Sequence, residues 1–250
     1  MVSYSLMSSQ ISKKVFEERR AAVFLLLSSV FIASMTMLNI LGTSRFLDLS
    51  FELLGIQIPV IVAVGVLPYP ITFLCTDFIS EIFGRKKASQ VVWAGLIVNI
   101  WLAFIVWLAG ALPDFKTTEL SESSNNAFMV IRQLSLSTIV ASMIAYFLAQ
   151  YSDVRIFHFF KEKTKGEHLW LRNNASTMIS QFVDTVSVIL ITHILTRSIP
   201  LPEEKSEIEG LAFLIINAYV FKFFFAVLDT PILYAGVKYL RNYLGLETQV

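Results

Sequence analysis

Asp77 and Glu81 stand four residues apart at the end of the apolar run Pro68-Tyr69-Pro70-Ile71-Thr72-Phe73-Leu74-Cys75-Thr76-Asp77-Phe78-Ile79-Ser80-Glu81. On a helix that spacing puts both carboxylates on one face. Gln181 and Asp184 sit at i and i+3 inside a second run, Ser180-Gln181-Phe182-Val183-Asp184-Thr185. Lys222, Phe225 and Asp229 share a stripe at i, i+3 and i+7 in a third. A carboxylate only accepts hydrogen bonds, an ammonium only donates, and an amide does both. Such a set suits the edge of a polar heterocycle. A charge at the centre of a bilayer costs about 2.5–3.5 kcal/mol on insertion scales, so ionisable residues there mark a polar cavity and a substrate or ion path.

Structural readings stand beside these. Lys222 and Asp184 fall at similar depth, and an ion pair between them would lower the cost of burying both. Glu81 has the basic Arg85, Lys86 and Lys87 just beyond it, which offers a salt bridge as well as a gating role. Arg132, next to Gln133 near the outer end of its run, is placed either to gate or to snorkel to the headgroups. Asn99 completes the set of candidate binding groups. His193, near the outer end of the fifth run, reads as an interfacial or hydrogen-bonded histidine rather than a proton relay.

These residues must be positioned by membrane helices. With 55% apolar and only 16% charged residues, the chain is too apolar for a soluble fold of 250 residues. Six runs reach the roughly 20 residues needed to cross a hydrocarbon core of about 30 Å. They lie near 21–42, 58–80, 89–112, 127–149, 174–197 and 211–237. The expectation is an all-α integral membrane protein with six transmembrane helices. It divides into a cytoplasmic segment 1–20, one transmembrane domain 21–240 and a cytoplasmic tail 241–250. A polar lead of about twenty residues before the first run argues against a cleaved signal peptide. Basic residues alternate between the connections. Lys13, Lys14, Arg19 and Arg20, then Arg85, Lys86 and Lys87, then Arg155, Lys161, Lys163, Lys165 and Arg172, then Lys238 and Arg241 fall on one side. Asp114, Glu119, Glu122, Glu203, Glu204, Glu207 and Glu209 collect on the other, with only Arg45, Lys116, Lys205 and, at a helix edge, Arg197 among the cations. The positive-inside rule then puts both termini in the cytoplasm. Pro68 and Pro70, with Gly65, predict a break in the second helix, because each proline removes a backbone donor and crowds the preceding turn.

Other chemistries lack their residues. Cys75 is the single cysteine, so no intrachain disulfide forms, and His158, His168 and His193 stand without the partners of a metal site. No metal or cofactor is expected. The chain has no GxSxG elbow, HExxH or phosphate-binding loop, so it does not read as an enzyme. No basic groove points to nucleic acid.

At these positions the chain resembles the queuosine precursor transporters, also classed as vitamin uptake transporters. The likeness rests on Pro70-Ile71-Thr72-Phe73-Leu74-Cys75-Thr76-Asp77-Phe78-Ile79-Ser80-Glu81-Ile82-Phe83-Gly84, the Arg85-Lys86-Lys87 and Val91-Val92-Trp93 that follow, Ser180 to Thr185, and Lys222 with Asp229-Thr230-Pro231. The resemblance implies a multi-pass protein of the bacterial inner membrane that imports 7-deazaguanine bases, queuine or related precursors of queuosine, for tRNA modification. Such a base presents N–H donors to a carboxylate and a carbonyl to Gln181, Asn99 or Lys222. Its flat ring also needs a stacking surface, for which Tyr69, Phe73, Trp101 and Phe225 are candidates, against the ordinary alternative of packing or lipid contact. The preferred base, the energy source and the oligomeric state stay open. Two other readings stand: the substrate-binding subunit of an energy-coupling-factor vitamin importer, which needs partner ATPases, and a membrane scaffold whose buried charges only fix helix register.

Overall fold

The computed structural model describes residues 2–42, 44–53, 55–113, 119–165, 169–197, 199, 201 and 205–246. Six helices carry the chain: α1 (Val2–Leu41), α2 (Tyr69–Phe83), α3 (Arg85–Ala111), α4 (Glu119–Lys163), α5 (Leu169–Thr196) and α6 (Glu207–Leu244). Each belongs to a stretch long and apolar enough to cross a membrane, namely Lys14–Leu41, Val64–Phe83, Arg85–Ala111, Ser123–Ala149, Ala175–Thr196 and Glu207–Leu244. The six expected spans fall on these six. Of the charges that oriented them, Asp114, Lys116, His168, Glu203 and Glu204 lie outside the described residues, as do the side chains of Lys13, Glu119, Glu122, Lys161 and Arg172.

Two features of the second span depart from expectation. Residues 58–63, counted with a helix from their apolar character, are extended. Strands β1 (Phe46–Asp48) and β4 (Ile61–Ala63) pair antiparallel, and inside them β2 (Phe51–Leu53) pairs with β3 (Ile56–Ile58). The four strands make one long hairpin whose ladder is bridged at its waist. Leu49 donates its amide to the Val60 carbonyl at 2.8 Å, and the Val60 amide bonds Ser50 Oγ at 3.0 Å. Pro59, with no N–H to give, sits where the ladder is interrupted. Asp48 is held below the usual carboxylate range by hydrogen bonds from Ser50, the hydroxyl first and then the amide. After a 3₁₀ turn at Val64–Val66, helix α2 begins at Tyr69. Pro68 is its N-cap and Pro70 lies in its first turn, where a missing N–H costs no intrahelical bond. The prolines therefore start a helix rather than break one. At the other end of the chain's first span, helix α1 runs back through residues 2–20, so the N-terminal segment continues the span.

The residues divide into two compact units. The first contains Met1–Thr36, Pro68–Val98 and Phe224–Val250. Its core is Phe31, Cys75, Ile79 and Val91, with Phe24, Met35 and Phe83 packed around them. Gly95 lets α1 approach α3 closely, since a Cβ there would lie 3.0 Å from both Phe31 and Met35 side chains. The second unit contains Met37–Leu67 and Asn99–Phe223. Here α4 packs along α5, and Ile139, Ala141 and Ala145 are fully buried. The root of the hairpin is fastened by two glycines. Gly65 donates its amide to the Gly42 carbonyl at 3.0 Å, and a Cβ on Gly65 would lie 2.7 Å from that same oxygen.

Candidate functional site

In the second unit, helix α5 hides most of its own polarity. Ser180 Oγ donates to the Thr177 carbonyl at 3.0 Å and Thr185 Oγ1 to the Gln181 carbonyl at 2.9 Å, so these hydroxyls are satisfied within the helix. Within residues 180–185 the groups left to project are the Gln181 amide and the Asp184 carboxylate. Gln181 makes no side-chain hydrogen bond with the described residues. Asp184 meets Lys222 of α6, whose Nζ donates to Oδ2 at 2.9 Å. Lys222 occupies the inward stripe of α6, with Leu214, Ala218 and Phe221, and its side chain is 7% exposed against 22% for Asp184. Two further contacts hold the helices around this pair. Tyr219 donates its hydroxyl to the Met178 carbonyl at 3.2 Å, and the Phe182 and Tyr219 rings meet edge to face at 5.3 Å. The ion pair is neutral as a whole, but its carboxylate still has acceptor capacity on Oδ1 next to the free amide of Gln181.

Asn99 is not part of that arrangement. It is buried, and its Oδ1 accepts from Asn39 Nδ2 at 2.7 Å, while Asn39 Oδ1 accepts from Ser142 Oγ at 3.1 Å. The amide expected to read a ligand instead cross-links α1, α3 and α4. Arg132 was open between a gating and a structural place, and it is partly buried. Its Nε is buried with no hydrogen-bond partner among the described residues, and its guanidinium end lies against Gly110, whose missing side chain makes the room. It packs into the protein rather than snorkelling outward.

In the first unit, Asp77 of α2 and Asp229 of α6 interact electrostatically as like charges, and neither has an ion-pair partner among the described residues. The close approach that brings these helices together is at Phe78 and Gly236, where the phenyl ring fills the space a Cβ would take. Tyr69 and Phe73 meet edge to face at 4.5 Å in the first turns of α2, and Phe225 meets Phe224 at 5.8 Å. Trp101 is 61% exposed on α3, an outward position unsuited to stacking a ligand inside the protein. Glu81 is bridged to Arg241 at the end of α6, 2.6 Å away, rather than to the adjoining Arg85-Lys86-Lys87. Helical continuation brings the end of α6 alongside Glu81, whereas Arg85 follows a chain reversal at Gly84, where φ is +89°. His193 is hydrogen-bonded, its Nε2 being 2.7 Å from Glu207 Oε1.

Asn39, Tyr219 and Arg241 were not singled out by sequence. Asn39 carried a visible signal as a lone amide in an apolar run, and Arg241 was counted only as a topological charge. No group of three or more metal-ligating side chains occurs among the described residues.

Six helices long and apolar enough to cross a membrane, with opposed charges held between two of them, mark a multi-pass membrane protein. The family described as "Putative vitamin uptake transporter" matches residues 63–236, most of the chain and five of the six spans, and the protein belongs to that family. A protein of Bacillus subtilis (strain 168) described as "Probable queuosine precursor transporter" is 27% identical over 179 residues, covering 71% of this chain and 72% of the relative. No solved structure matches.

Proposed function

We propose that this protein imports 7-deazaguanine precursors of queuosine across the bacterial inner membrane, with both termini in the cytoplasm. Membership of an uptake family argues for transport rather than catalysis. The description of the Bacillus subtilis relative supports the choice of substrate. The observation that carries the binding role is the Asp184–Lys222 pair beside Gln181, a donor and acceptor set buried between two spanning helices. A deazaguanine edge, with adjacent N–H donors and a ring carbonyl, matches a carboxylate flanked by an amide and an ammonium. In the first unit Asp77 and Asp229 are a second candidate binding pair, with no ion-pair partner among the described residues. Tyr69, Phe73 and Phe225 supply aromatic surface. Asn99 is withdrawn from the binding set, because its carbonyl is already engaged.

A strain unable to make queuosine and lacking its own importer tests this reading. Supplied with this chain and an external deazaguanine, it regains the modified nucleoside in its tRNA. No restoration with any precursor, despite confirmed membrane expression, rejects the substrate. Reporter fusions after residues 50 and 205 read external and those after 86 and 163 internal; the reverse pattern rejects the orientation. Uptake that persists in a host without partner ATPases separates an autonomous transporter from the subunit of an energy-coupling-factor importer.

A further inference from the structure

The first unit gathers its charge at one end. Spans begin there at Lys14 and Arg85 and finish at Phe83 and Leu244, and contacts tie these ends together. Arg19 Nη1 donates to the Tyr243 carbonyl at 3.3 Å, Arg20 lies 5.5 Å over the Phe83 ring, and Lys87 lies 5.5 Å over the Phe24 ring. Carboxylates do little to offset this. Glu18 is committed to Lys14 and Glu81 to Arg241. The first turn of α3 is Arg85-Lys86-Lys87 with no acidic residue, although the positive end of a helix favours anions. Arg85 and Lys86 are exposed and form no ion pair with the described residues. Three adjacent cations at a helix start therefore lack a counter-charge from the described residues.

The surface below them narrows what supplies it. Trp93 and Ile97 lie at i+7 and i+11 from Lys86, on one face of α3, and are 55% and 64% exposed. An unmatched cation thus stands directly over an exposed apolar stripe. A free phosphate or a soluble acidic partner answers the charge alone, whereas an amphiphile answers both parts. We propose that this end of the first unit is a docking surface for an anionic glycerophospholipid, with the headgroup phosphate seated on Arg85 and Lys86 and an acyl chain along Trp93 and Ile97. Arg20 and Lys87, propped on aromatic rings, form an outer ring of charge. Lipid-surface charge of this kind contributes a factor of about five in binding per basic residue.

The test uses the full chain in a mild, uncharged detergent, titrated with phosphatidylglycerol and, separately, with phosphatidylethanolamine while bound lipid is read by native mass spectrometry. The protein retains phosphatidylglycerol in preference, and Arg85→Gln with Lys86→Gln weakens that retention roughly 25-fold while barely changing phosphatidylethanolamine. The single change Lys86→Gln gives about a fivefold loss and serves if the double variant is not monodisperse. Millimolar inorganic phosphate leaves the bound lipid in place. Equal retention of the two lipids, unchanged binding in the Lys86→Gln protein, or displacement by inorganic phosphate overturns the proposal.

Discussion

Each unit of the molecule holds a pair of intramembrane charges, and the two pairs are opposite in kind. In the second unit Asp184 faces a cation at 2.9 Å, so the burial of each charge is offset by the other. In the first, Asp77 and Asp229 act on each other as like charges, and the described residues bring no cation to either. A matched pair explains itself by stability alone. A like pair does not, because two carboxylates at membrane depth repel and gain nothing for the fold. The contrast teaches that buried charge has to be judged pair by pair: stability accounts for the matched pair whether or not it also binds cargo, and does not account for the like pair.

The largest expected effect falls on the matched pair. Lys222→Met strands the part-buried Asp184 carboxylate and lowers unfolding stability in detergent by about 3 kcal/mol, the lower end for a broken buried pair. Asp184→Asn with Lys222→Met recovers most of that loss, because neither charge is left alone. Under the proposed function the double variant is stable yet takes up no deazaguanine. Full uptake by it makes the pair a scaffold and moves the binding role to Asp77 and Gln181, erasing the contrast between the units.

A smaller loss follows from the neutral network. Asn39→Ala leaves the Asn99 carbonyl and the Ser142 hydroxyl without their partner, which costs about 1–3 kcal/mol, measured by thermal unfolding. Uptake by the folded fraction stays near normal, since this amide pair is structural. Loss of uptake at unchanged stability would return Asn99 to the binding set.

Arg241→Gln removes the bridge to Glu81, whose side chain is 53% exposed, and changes stability by about 0–1 kcal/mol. Uptake with Glu81→Gln stays well above that with Asp77→Asn. The smallest change in stability belongs to Asp229→Asn and Asp77→Asn. Removing one of two like charges leaves the unfolding midpoint unchanged or slightly higher, yet uptake is severely reduced. If either substitution destabilises the protein as Lys222→Met does, the like pair is part of the fold after all.

The spans were legible because about twenty consecutive apolar residues have few alternatives. Asp184 and Lys222 were legible as partners because each is a charge in an apolar run and their depths match. The hairpin was not. Residues 58–63 are apolar enough to blend into the second span, Pro59 at the waist of the ladder is a single residue within that run, and the partner strands from Phe46 to Leu53 lie in what reads as a connection. The partner of Asn99 was hidden for another reason. Asn39 lies 60 residues away on a different helix, and a lone amide carries no spacing that names its match. The partner of Glu81 was misplaced by proximity in sequence, which favoured Arg85 over Arg241, 160 residues distant.

Gly84 is the single residue between α2 and α3, and its φ of +89° is a conformation side-chain-bearing residues rarely adopt. Its consequence lies in how the protein is made. With no loop to separate them, α2 and α3 enter the bilayer as one hinged pair during synthesis. α2 belongs to the least apolar of the six spans and carries Asp77 and Glu81; α3 is the most apolar. The strongly inserting helix thus carries in the weakly inserting one, and the Asp77 carboxylate reaches a depth that its own segment is poorly suited to secure. Replacing Gly84 with a bulky residue should show first as nascent chain degraded before assembly, while any protein that matures keeps its uptake.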